Sequence, residues 1–340
     1  MKYAVIPQAG VVKIEEKPIP PVEEDRVLIK IKMCGICGTD TLIHRGVIHV
    51  NYPYSPGHEY SGVVEAVGGK VNGIKIGDRV VVNPNHACGL CYYCRRGLPN
   101  HCENLKMPGI KSNGGFAEYV SVPEKIVYRI PGSISFEQAT LIEPVSCVLH
   151  MIDEADIRMG DLVVIIGGGT MGLISLQLCR HYGARIIVLS EPAEYKRELA
   201  KQLGADIVCD PIKENLSSLI KELDGHGADV VLDNVGSSGA IFEGYKCLRK
   251  KGRLIISGLN SEKTEIPVPS QDIVKNELAV KGVFLNPDTF SRTLSLMESR
   301  VFPWGLLLTH EFPLCEIDKA FAVASEGQAI KVQGFLRKNF

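Results

Sequence analysis

The chain has 340 residues, more than one hydrophobic core usually serves, so we expect two domains. A hydrophobic content of 45%, a charged content of 23% and a net charge of −1 are ordinary for a globular protein, and the lack of a basic excess argues against a nucleic-acid partner. No apolar run reaches the roughly 18 to 20 residues of a membrane span, and the first residues lack a signal-peptide pattern. The sequence therefore predicts a cytoplasmic protein with no membrane partner.

The first part of the chain is predicted to be mostly β. Residues 27–32 partly alternate apolar and polar side chains, as a half-buried strand does. Residues 35–115 are rich in glycine and proline and contain further apolar runs at 62–67 and 79–82. This pattern is typical of a β domain with long loops.

Metal-type side chains are spread through this β-rich part and beyond it. His58 and Glu59 are adjacent and lie between glycines, Cys37 lies upstream, and Glu143 lies downstream. A buried histidine is more often a core residue than a ligand. However, a cysteine, a histidine and a glutamate with an open fourth position would suit a catalytic zinc.

Four further cysteines are clustered in the sequence. A reducing cytoplasm favours metal binding over disulfides for such a cluster. Four thiolates complete a tetrahedral zinc and leave no open position, which predicts a structural site. An iron–sulfur cluster also takes four cysteines, but the spacing lacks the ferredoxin patterns. We expect the polar loop around them to depend on the metal for its fold. These cysteines are Cys88, Cys91, Cys94 and Cys102.

From about residue 150 the pattern changes to strands that alternate with helices. This alternation predicts a parallel sheet with right-handed crossovers. Two more helices are predicted near 288–299 and 316–325. The predicted strands in the alternating part are 162–166, 186–189, 229–233 and 253–257, and the predicted helices include 171–179 and 194–203.

A glycine-rich turn follows the first of these strands and matches Gly-x-Gly-x-x-Gly. The match alone is a weak signal, but a buried strand precedes it and an apolar helix follows it. Gly167, Gly169 and Gly172 would permit the tight turn, the approach of a pyrophosphate and helix–strand packing. Thr170 and Met171 begin the helix, whose free N–H groups would bind phosphate. The turn therefore predicts a dinucleotide site.

The second strand of the alternating part ends at Glu191, about 20 residues past the glycine turn. A carboxylate there accepts hydrogen bonds from both ribose hydroxyls and repels a 2′-phosphate, which favours NAD over NADP. Lys196 and Arg197 lie nearby, and a cation could accommodate a 2′-phosphate. NADP therefore remains the less favoured alternative.

These motifs together resemble the zinc-containing medium-chain dehydrogenase/reductase family, which includes alcohol, sorbitol and threonine dehydrogenases. The signature at 57–68, the Gly-Asp-Arg-Val turn at 77–80, the cysteine cluster and the glycine turn occur in the family order. The resemblance covers essentially the whole chain.

The resemblance implies an α/β two-domain protein. A catalytic domain built on a GroES-like β-barrel would comprise residues 1–148 and 285–340, with the structural zinc lobe at 86–104. A Rossmann NAD-binding domain, a doubly wound parallel sheet, would comprise residues 149–284.

The resemblance also implies the ligands of the catalytic zinc. Cys37 and His58 match the first two ligands, and Glu143 matches the third ligand of the polyol dehydrogenases, whereas Cys147 is a decoy. Glu59 matches a glutamate next to the ligands that can also approach the metal. We therefore expect one catalytic and one structural zinc per chain.

The proton relay departs from the family pattern at one position. Thr39 matches the hydroxyl that takes the substrate proton. Many relatives finish the relay with a histidine where this chain has Leu42. His44 and His49 are nearby alternatives, and His44 is our candidate.

The substrate is less well defined by the sequence. Sorbitol-type relatives carry Arg-Tyr after a Gly-Val-Phe motif, but here Phe284 is followed by Leu285 and Asn286. The arginine that contacts a polyol chain is therefore absent. Leu259 and Phe284 complete the set of predicted cofactor contacts.

The predicted function is zinc-dependent oxidation of a secondary alcohol to a ketone, with hydride transfer to NAD⁺. The substrate would be a polyol, a sugar alcohol or a related vicinal diol. One alternative is an L-threonine 3-dehydrogenase or another hydroxy-acid or alcohol dehydrogenase. A more remote alternative is a non-catalytic NAD-binding protein. The expected partners are a small-molecule alcohol and further copies of the chain, as a dimer or tetramer.

Overall fold

The computed structural model describes residues 1–110, 112–260, 264–266 and 268–335. It divides into two compact units, one formed by Met1–Ser146 with Asn286–Phe340 and the other by Cys147–Leu285. In the described ranges, the helices are all too short or too polar to cross a membrane.

The chain forms fifteen strands and ten α-helices over the described residues. The strands are β1 (Lys2–Gln8), β2 (Val11–Glu16), β3 (Arg26–Gly35), β4 (Glu59–Val67), β5 (Arg79–Val82), β6 (Tyr119–Pro123), β7 (Val127–Arg129), β8 (Leu162–Ile166), β9 (Ile186–Ser190), β10 (Ile207–Cys209), β11 (Ala228–Asp233), β12 (Leu248–Ile256), β13 (Ala279–Gly282), β14 (Leu308–Pro313) and β15 (Lys331–Phe335). The helices are α1 (Gly38–His44), α2 (Phe136–Ala139), α3 (Ile142–Ala155), α4 (Thr170–His181), α5 (Glu194–Gln202), α6 (Leu216–Asp224), α7 (Ser238–Cys247), α8 (Ser270–Asn276), α9 (Phe290–Glu298) and α10 (Ile317–Ser325).

The first unit contains a mixed sheet and the separate antiparallel pair β1–β2. The sheet runs in the order β14-β15-β3-β4-β5-β7, and β6 also pairs with β3. Strand β15 pairs antiparallel with the end of β3, with Gln333 opposite Gly35. This pairing brings the last described strand of the chain beside the segment that leads into Cys37.

The second unit contains a six-stranded sheet in the order β10-β9-β8-β11-β12-β13, and every pairing is parallel. Numbered within the unit, this is the doubly wound order 3-2-1-4-5-6, in which ligands bind where the order reverses, between β8 and β11. All five residues of β8 are buried, as the continuous apolar run predicts. The predicted parallel sheet is confirmed.

Strand β13 has no counterpart among the predicted strands. It lies at the edge of the sheet, and all four of its residues are exposed. An exposed edge strand needs neither a continuous apolar run nor a strict alternation, so its sequence carries little signal.

Candidate active site

Cys37 lies where β3 ends and α1 begins. It occupies the N-cap position, and its backbone N–H donates to Oδ2 of Asp40 at 3.1 Å. Asp40 is wholly buried in the first turn of the helix. The exchange of hydrogen bonds between the cap and the third helical residue fixes the backbone that carries the Cys37 thiol.

His58 lies on the turn that leads into β4. The preceding Gly57 has a φ of +101°, and a Cβ there would lie 2.7 Å from the ring of Phe116 and 2.8 Å from Sγ of Cys34. Only glycine fits both this backbone conformation and this space. The turn holds His58 in the interior, with 3% of its surface exposed.

Asp40 also faces the imidazole of His58. Its Oδ1 lies 3.7 Å from Nδ1 of His58, which has no hydrogen-bond partner among the described residues. Burial lowers the pKa of His58, but the nearby Asp40 and Cys37 outweigh burial and raise that pKa well above its ordinary value. A carboxylate behind a ligating imidazole is a common way to orient the ring towards a metal.

Glu59 begins β4 and is almost fully buried, with 1% of its surface exposed. Nζ of Lys331 donates to both of its carboxylate oxygens, at 2.8 and 2.6 Å. Burial lowers the pKa of Lys331, but the opposing charge of Glu59 and the nearby Cys37 more than compensate and raise it. Lys331 is therefore charged and paired inside the first unit.

The structure brings three of the predicted metal residues together. The ligand atoms of Cys37, His58 and Glu59 lie within 4.8 Å of one another. A thiol, an imidazole and a carboxylate form a donor set that fits zinc.

Glu143 lies in the first turn of α3 and is 6% exposed. It falls outside the group whose ligand atoms lie within 4.8 Å of one another. It is nevertheless close enough for its negative charge to raise the pKa of Lys331. Its role as the third ligand stays a prediction.

The candidates for the proton relay occupy different positions around α1. Thr39 is half-buried in the first turn, two residues after Cys37. His44 ends the helix, and its ring packs against Phe321 with 5.3 Å between centroids. Five residues along an α-helix amount to a rotation of about 140° beyond one full turn, so Thr39 and His44 leave the helix in different directions. His49 is exposed beyond the helix.

A cavity of about 660 Å³ lies beside His49 in the first unit. Tyr54 lines it, and the hydroxyl of Tyr54 contacts Oδ1 of Asp40 at 3.2 Å and the carbonyl oxygen of Gly109. Burial raises the pKa of Tyr54, so the phenol stays protonated. The polar groups that line the cavity come from His49, Asn51, Tyr54, Ser55, Ser112 and Asn113.

The four clustered cysteines converge as predicted for a metal site. Their sulfur atoms lie within 4.8 Å of one another. The N–H groups of Leu90 and Cys91 both donate to Sγ of Cys88 at 3.4 Å, which lowers the pKa of Cys88 to about 6. Burial and the neighbouring thiols raise the pKa of Cys94 to about 12. Convergent sulfurs that accept backbone N–H groups fit a four-thiolate zinc.

The glycine turn in the second unit has the features of a dinucleotide site. Gly167 has a φ of +95°, and a Cβ at Gly172 would overlap the carbonyl oxygen of Gly167. A Cβ at Gly169, which caps α4, would meet nothing within 4 Å. Thr170 and Met171 follow as the first residues of α4. The turn leaves open space in front of a helix N-terminus, which fits a pyrophosphate.

Glu191 lies at the end of β9 and borders a cavity of about 600 Å³ in the same unit. Its Oε2 accepts the N–H of Gly168 at 2.7 Å, and its Oε1 accepts the N–H of Ala193 at 3.0 Å. Glu214 and Glu243 also line the cavity. The cavity wall is therefore acidic where a ribose would bind.

Two cations near Glu191 are differently placed. Arg197 donates to the carbonyl oxygen of Glu191 at 2.7 Å and pairs with Asp210 at 3.2 Å. Lys196 is half-buried, and its Nζ lies 5.7 Å from the ring centroid of Tyr195. Among the described residues that line the cavity there is no lysine and no arginine.

The two remaining predicted cofactor contacts lie at the surface of the second unit. Leu259 is 56% exposed on the loop after β12, and Phe284 is 42% exposed after β13. The structure does not show them lining the cavity beside Glu191.

Two residues of the site were missed by sequence reasoning. Asp40 lies three residues after Cys37, and that capping spacing is a signal that could have identified it. Lys331 is 272 residues from Glu59 in sequence, and nothing local marks it.

Comparisons with known proteins cover most of the chain. The alcohol dehydrogenase GroES-like domain matches residues 23–132, and the zinc-binding dehydrogenase family matches residues 170–299. A sorbitol dehydrogenase of Halalkalibacterium halodurans is 35% identical, with 94% of each chain covered. The chain belongs to the zinc-containing medium-chain dehydrogenase/reductase family. The predicted family, fold class and enzyme class are thereby confirmed.

Other members of the family differ in substrate, and the structure of one of them contains NADP. An L-threonine 3-dehydrogenase of Caldanaerobacter subterraneus is 36% identical, with 94% of each chain covered. A zinc-binding dehydrogenase structure from Sinorhizobium meliloti, bound to NADP, superposes with a TM-score of 0.93 at 31% identity and covers 98% of both chains. Its relatives therefore indicate that this chain is a zinc-dependent alcohol dehydrogenase and that its substrate is a small-molecule alcohol.

Proposed function

We propose that this enzyme oxidises a secondary alcohol with a neighbouring hydroxyl, such as a polyol, a sugar alcohol or a vicinal diol, to the ketone, with NAD⁺ as hydride acceptor. The observation that carries this proposal is the group of Cys37 with the buried His58 and Glu59, together with the buried carboxylate of Glu143, which is close enough to raise the pKa of Lys331. Such a site has more carboxylate and less thiolate than one with two cysteine ligands, which suits oxygen-rich substrates.

The catalytic zinc would be held by Cys37, His58 and Glu143 and would supply Lewis acidity that lowers the pKa of a substrate hydroxyl. The protein orients these ligands through the cap of α1 and through Asp40 behind His58. Thr39 would hydrogen-bond the substrate hydroxyl and pass its proton on towards the cofactor ribose, and NAD⁺ would accept the hydride from the carbon that carries that hydroxyl.

A cavity with several polar groups in its wall supports the choice of a hydroxylated substrate. Amide, hydroxyl and imidazole groups line the cavity beside Tyr54, and Tyr54 itself contacts the Asp40 that faces His58. These groups can both donate and accept hydrogen bonds, as a chain of hydroxyls requires. Leu285 follows Phe284, so we expect sorbitol itself to be a weaker substrate than a shorter diol.

The substrate class is tested with a panel at fixed NAD⁺, with NADH formation as the readout. We expect kcat/KM for vicinal diols and sugar alcohols to exceed that for simple primary alcohols and for L-threonine. The matched comparison is between a vicinal diol and its mono-alcohol of equal chain length. A preference for L-threonine would instead support the threonine dehydrogenase alternative, and no turnover would support the non-catalytic one.

The preference for NAD over NADP is also part of this proposal. Glu191, Glu214 and Glu243 would repel a 2′-phosphate, and Arg197 is already paired with Asp210. We expect kcat/KM with NAD to exceed that with NADP by about tenfold or more, which corresponds to about 1.4 kcal/mol.

The variant Glu191→Ser should narrow this cofactor preference. The variant Glu222→Ser, which changes a glutamate of α6 outside the cavity lining, is the control. Equal use of both cofactors by the unaltered enzyme would refute the NAD assignment.

We also propose that the enzyme is a homo-oligomer, a dimer or a tetramer. The edge strand β13 leaves four exposed residues at the end of the parallel sheet, including Val280 with 38% of its surface exposed. Exposed sheet edges pair readily with other strands, and a second copy of the same edge is a suitable partner.

A further inference from the structure

An ion pair beside the metal-binding group has no role in the mechanism described above. Nζ of Lys331 contacts both oxygens of Glu59 and also donates to the carbonyl oxygen of Ile36 at 3.2 Å. Three partners use all three N–H groups of an ammonium. Lys331 and Glu59 are 3% and 1% exposed. The pair is therefore anchored to the backbone that leads into Cys37.

The carboxylate of Glu59 also lies against a glycine. A Cβ on Gly35 would overlap Oε2 of Glu59 and would lie 3.4 Å from Cδ of Lys331. Any side chain at this position of β3 would displace the pair. Because Gly35 has no side chain, the carboxylate of Glu59 has the space to reach the ammonium of Lys331.

The same carboxylate can reach the position of the metal. One of its oxygens lies within 4.8 Å of the ligand atoms of both Cys37 and His58. A divalent cation held there would attract Glu59 strongly in a buried environment. The ammonium of Lys331 competes with this metal ion for Glu59. One carboxylate cannot pair fully with both cations.

We propose that Lys331 is a positioning residue that holds the carboxylate of Glu59 away from the catalytic metal, so that the coordination position needed by the substrate hydroxyl stays open. The proposal rests on the proposed zinc centre at Cys37 and His58. It assigns to Lys331 a role in selecting the coordination number of the metal.

The test replaces zinc with cobalt and compares the visible spectra of variants that share the same cysteine lobe. Lys331→Met keeps the length and burial of the side chain but removes its charge. We expect Glu59 to join the metal in this variant, with about twofold weaker d–d absorption because coordination changes from four to five ligands. Loss of the metal to a chelator should become about tenfold slower.

Two further variants distinguish a role of Lys331 in positioning Glu59 from a role in the stability of the fold alone. The double variant Lys331→Met with Glu59→Gln should regain the spectrum of the unaltered enzyme, since no carboxylate remains to bind the metal. Lys331→Arg keeps the charge and should retain that spectrum. A purely structural role would lower the unfolding temperature of Lys331→Met without changing its spectrum.

Glu59→Gln alone provides a test that does not depend on the folding of a Lys331 variant. Its cobalt spectrum should match that of the unaltered enzyme, because Glu59 is held off the metal by Lys331. A changed spectrum would show that Glu59 is a resident ligand and would overturn the proposal. An unchanged spectrum for Lys331→Met would also overturn it.

The number of bound metals separates this inference from the proposed function. If the unaltered enzyme binds metal only at the cysteine lobe, the proposed catalytic centre fails. If it binds two metals and the Lys331 variants behave like the unaltered enzyme, only the positioning role fails.

Discussion

At the scale of single residues, the proposed third ligand Glu143 would determine the kind of catalytic zinc site. A carboxylate third ligand makes the site similar to that of the polyol dehydrogenases, whereas Cys147 would make it a site with two thiolates. Glu143 is buried at the start of α3, and Cys147 is half-buried four residues later. Substitution of each residue in turn can therefore show which of the two is the third zinc ligand.

We predict that Glu143→Ala loses the catalytic zinc and keeps the lobe zinc. Removal of one of three protein ligands leaves too few donors for a stable catalytic site. The measurement is zinc per chain by elemental analysis, with an expected fall from two to one. The control Cys147→Ala should keep both zincs, and the opposite pattern would show that the cysteine is the ligand.

A second residue-scale prediction concerns Asp233, which lies at the end of β11. Burial raises the pKa of Asp233 to about 6, although its carboxylate accepts the N–H groups of Val235 and Gly236 at 3.4 and 2.9 Å. An unfolded aspartate titrates near pH 4, so the folded state binds more protons between about pH 4 and pH 6. The contribution of Asp233 to stability therefore falls as the pH rises through that window.

The variant Asp233→Asn is uncharged at every pH. The free energy of unfolding of the unaltered enzyme, relative to that of the variant, should be larger by about 2 kcal/mol at pH 4.5 than at pH 7.5. Chemical denaturation at the two pH values measures this difference. The exposed Asp25→Asn serves as the control, and an equal gap at both pH values for Asp233→Asn would contradict the prediction.

At the scale of elements, local patterns explain why much of the fold could be predicted. The buried run of β8, the glycine turn and α4 each carry a signal within a few neighbouring residues. The pairing of β15 with β3 carries none, because the two strands lie at opposite ends of the chain and their partnership depends on the whole sheet. The position of Lys331 beside Glu59 could not be predicted from the sequence for the same reason. It arises only when β15 pairs with the end of β3 that contains Gly35.

The cysteine lobe is the element whose fold we expect to depend on a bound metal. Its base is closed by mutual backbone hydrogen bonds between His86 and Lys106, at 3.0 and 3.1 Å. Its own apolar side chains are largely outside, since Leu90 is 72% and Tyr92 is 56% exposed. Little buried apolar surface holds the lobe together without the four thiolates.

We predict that Cys94→Ser loses the lobe zinc and makes residues between Cys88 and Cys102 sensitive to proteolysis. The catalytic zinc should remain, so the zinc content should fall to one per chain. Limited proteolysis with mass spectrometry locates the cleavage. His101→Gln, in the same lobe, should keep both zincs and resist cleavage. Cleavage elsewhere with an intact lobe would show that the lobe folds without metal.

At the scale of the whole molecule, the exposed edge of the parallel sheet predicts self-association. Val280 of β13 and Val11 of β2 are both strand valines, and each is 38% exposed. An aspartate at Val280 would face its own copy across a twofold axis, and the like charges would repel each other. The same change at Val11 places a charge on a strand outside the parallel sheet and controls for the added charge.

We therefore expect light scattering to give the unaltered enzyme the mass of a dimer or tetramer, and Val280→Asp about half that mass or less. Val11→Asp should keep the original mass. A stable interface buries about 1,600 Å², far more than the side chains of one short strand, so residues next to β13 must also contribute and the loss should deepen on dilution. A monomeric unaltered enzyme, or an unchanged mass for Val280→Asp, would exclude this edge as the interface.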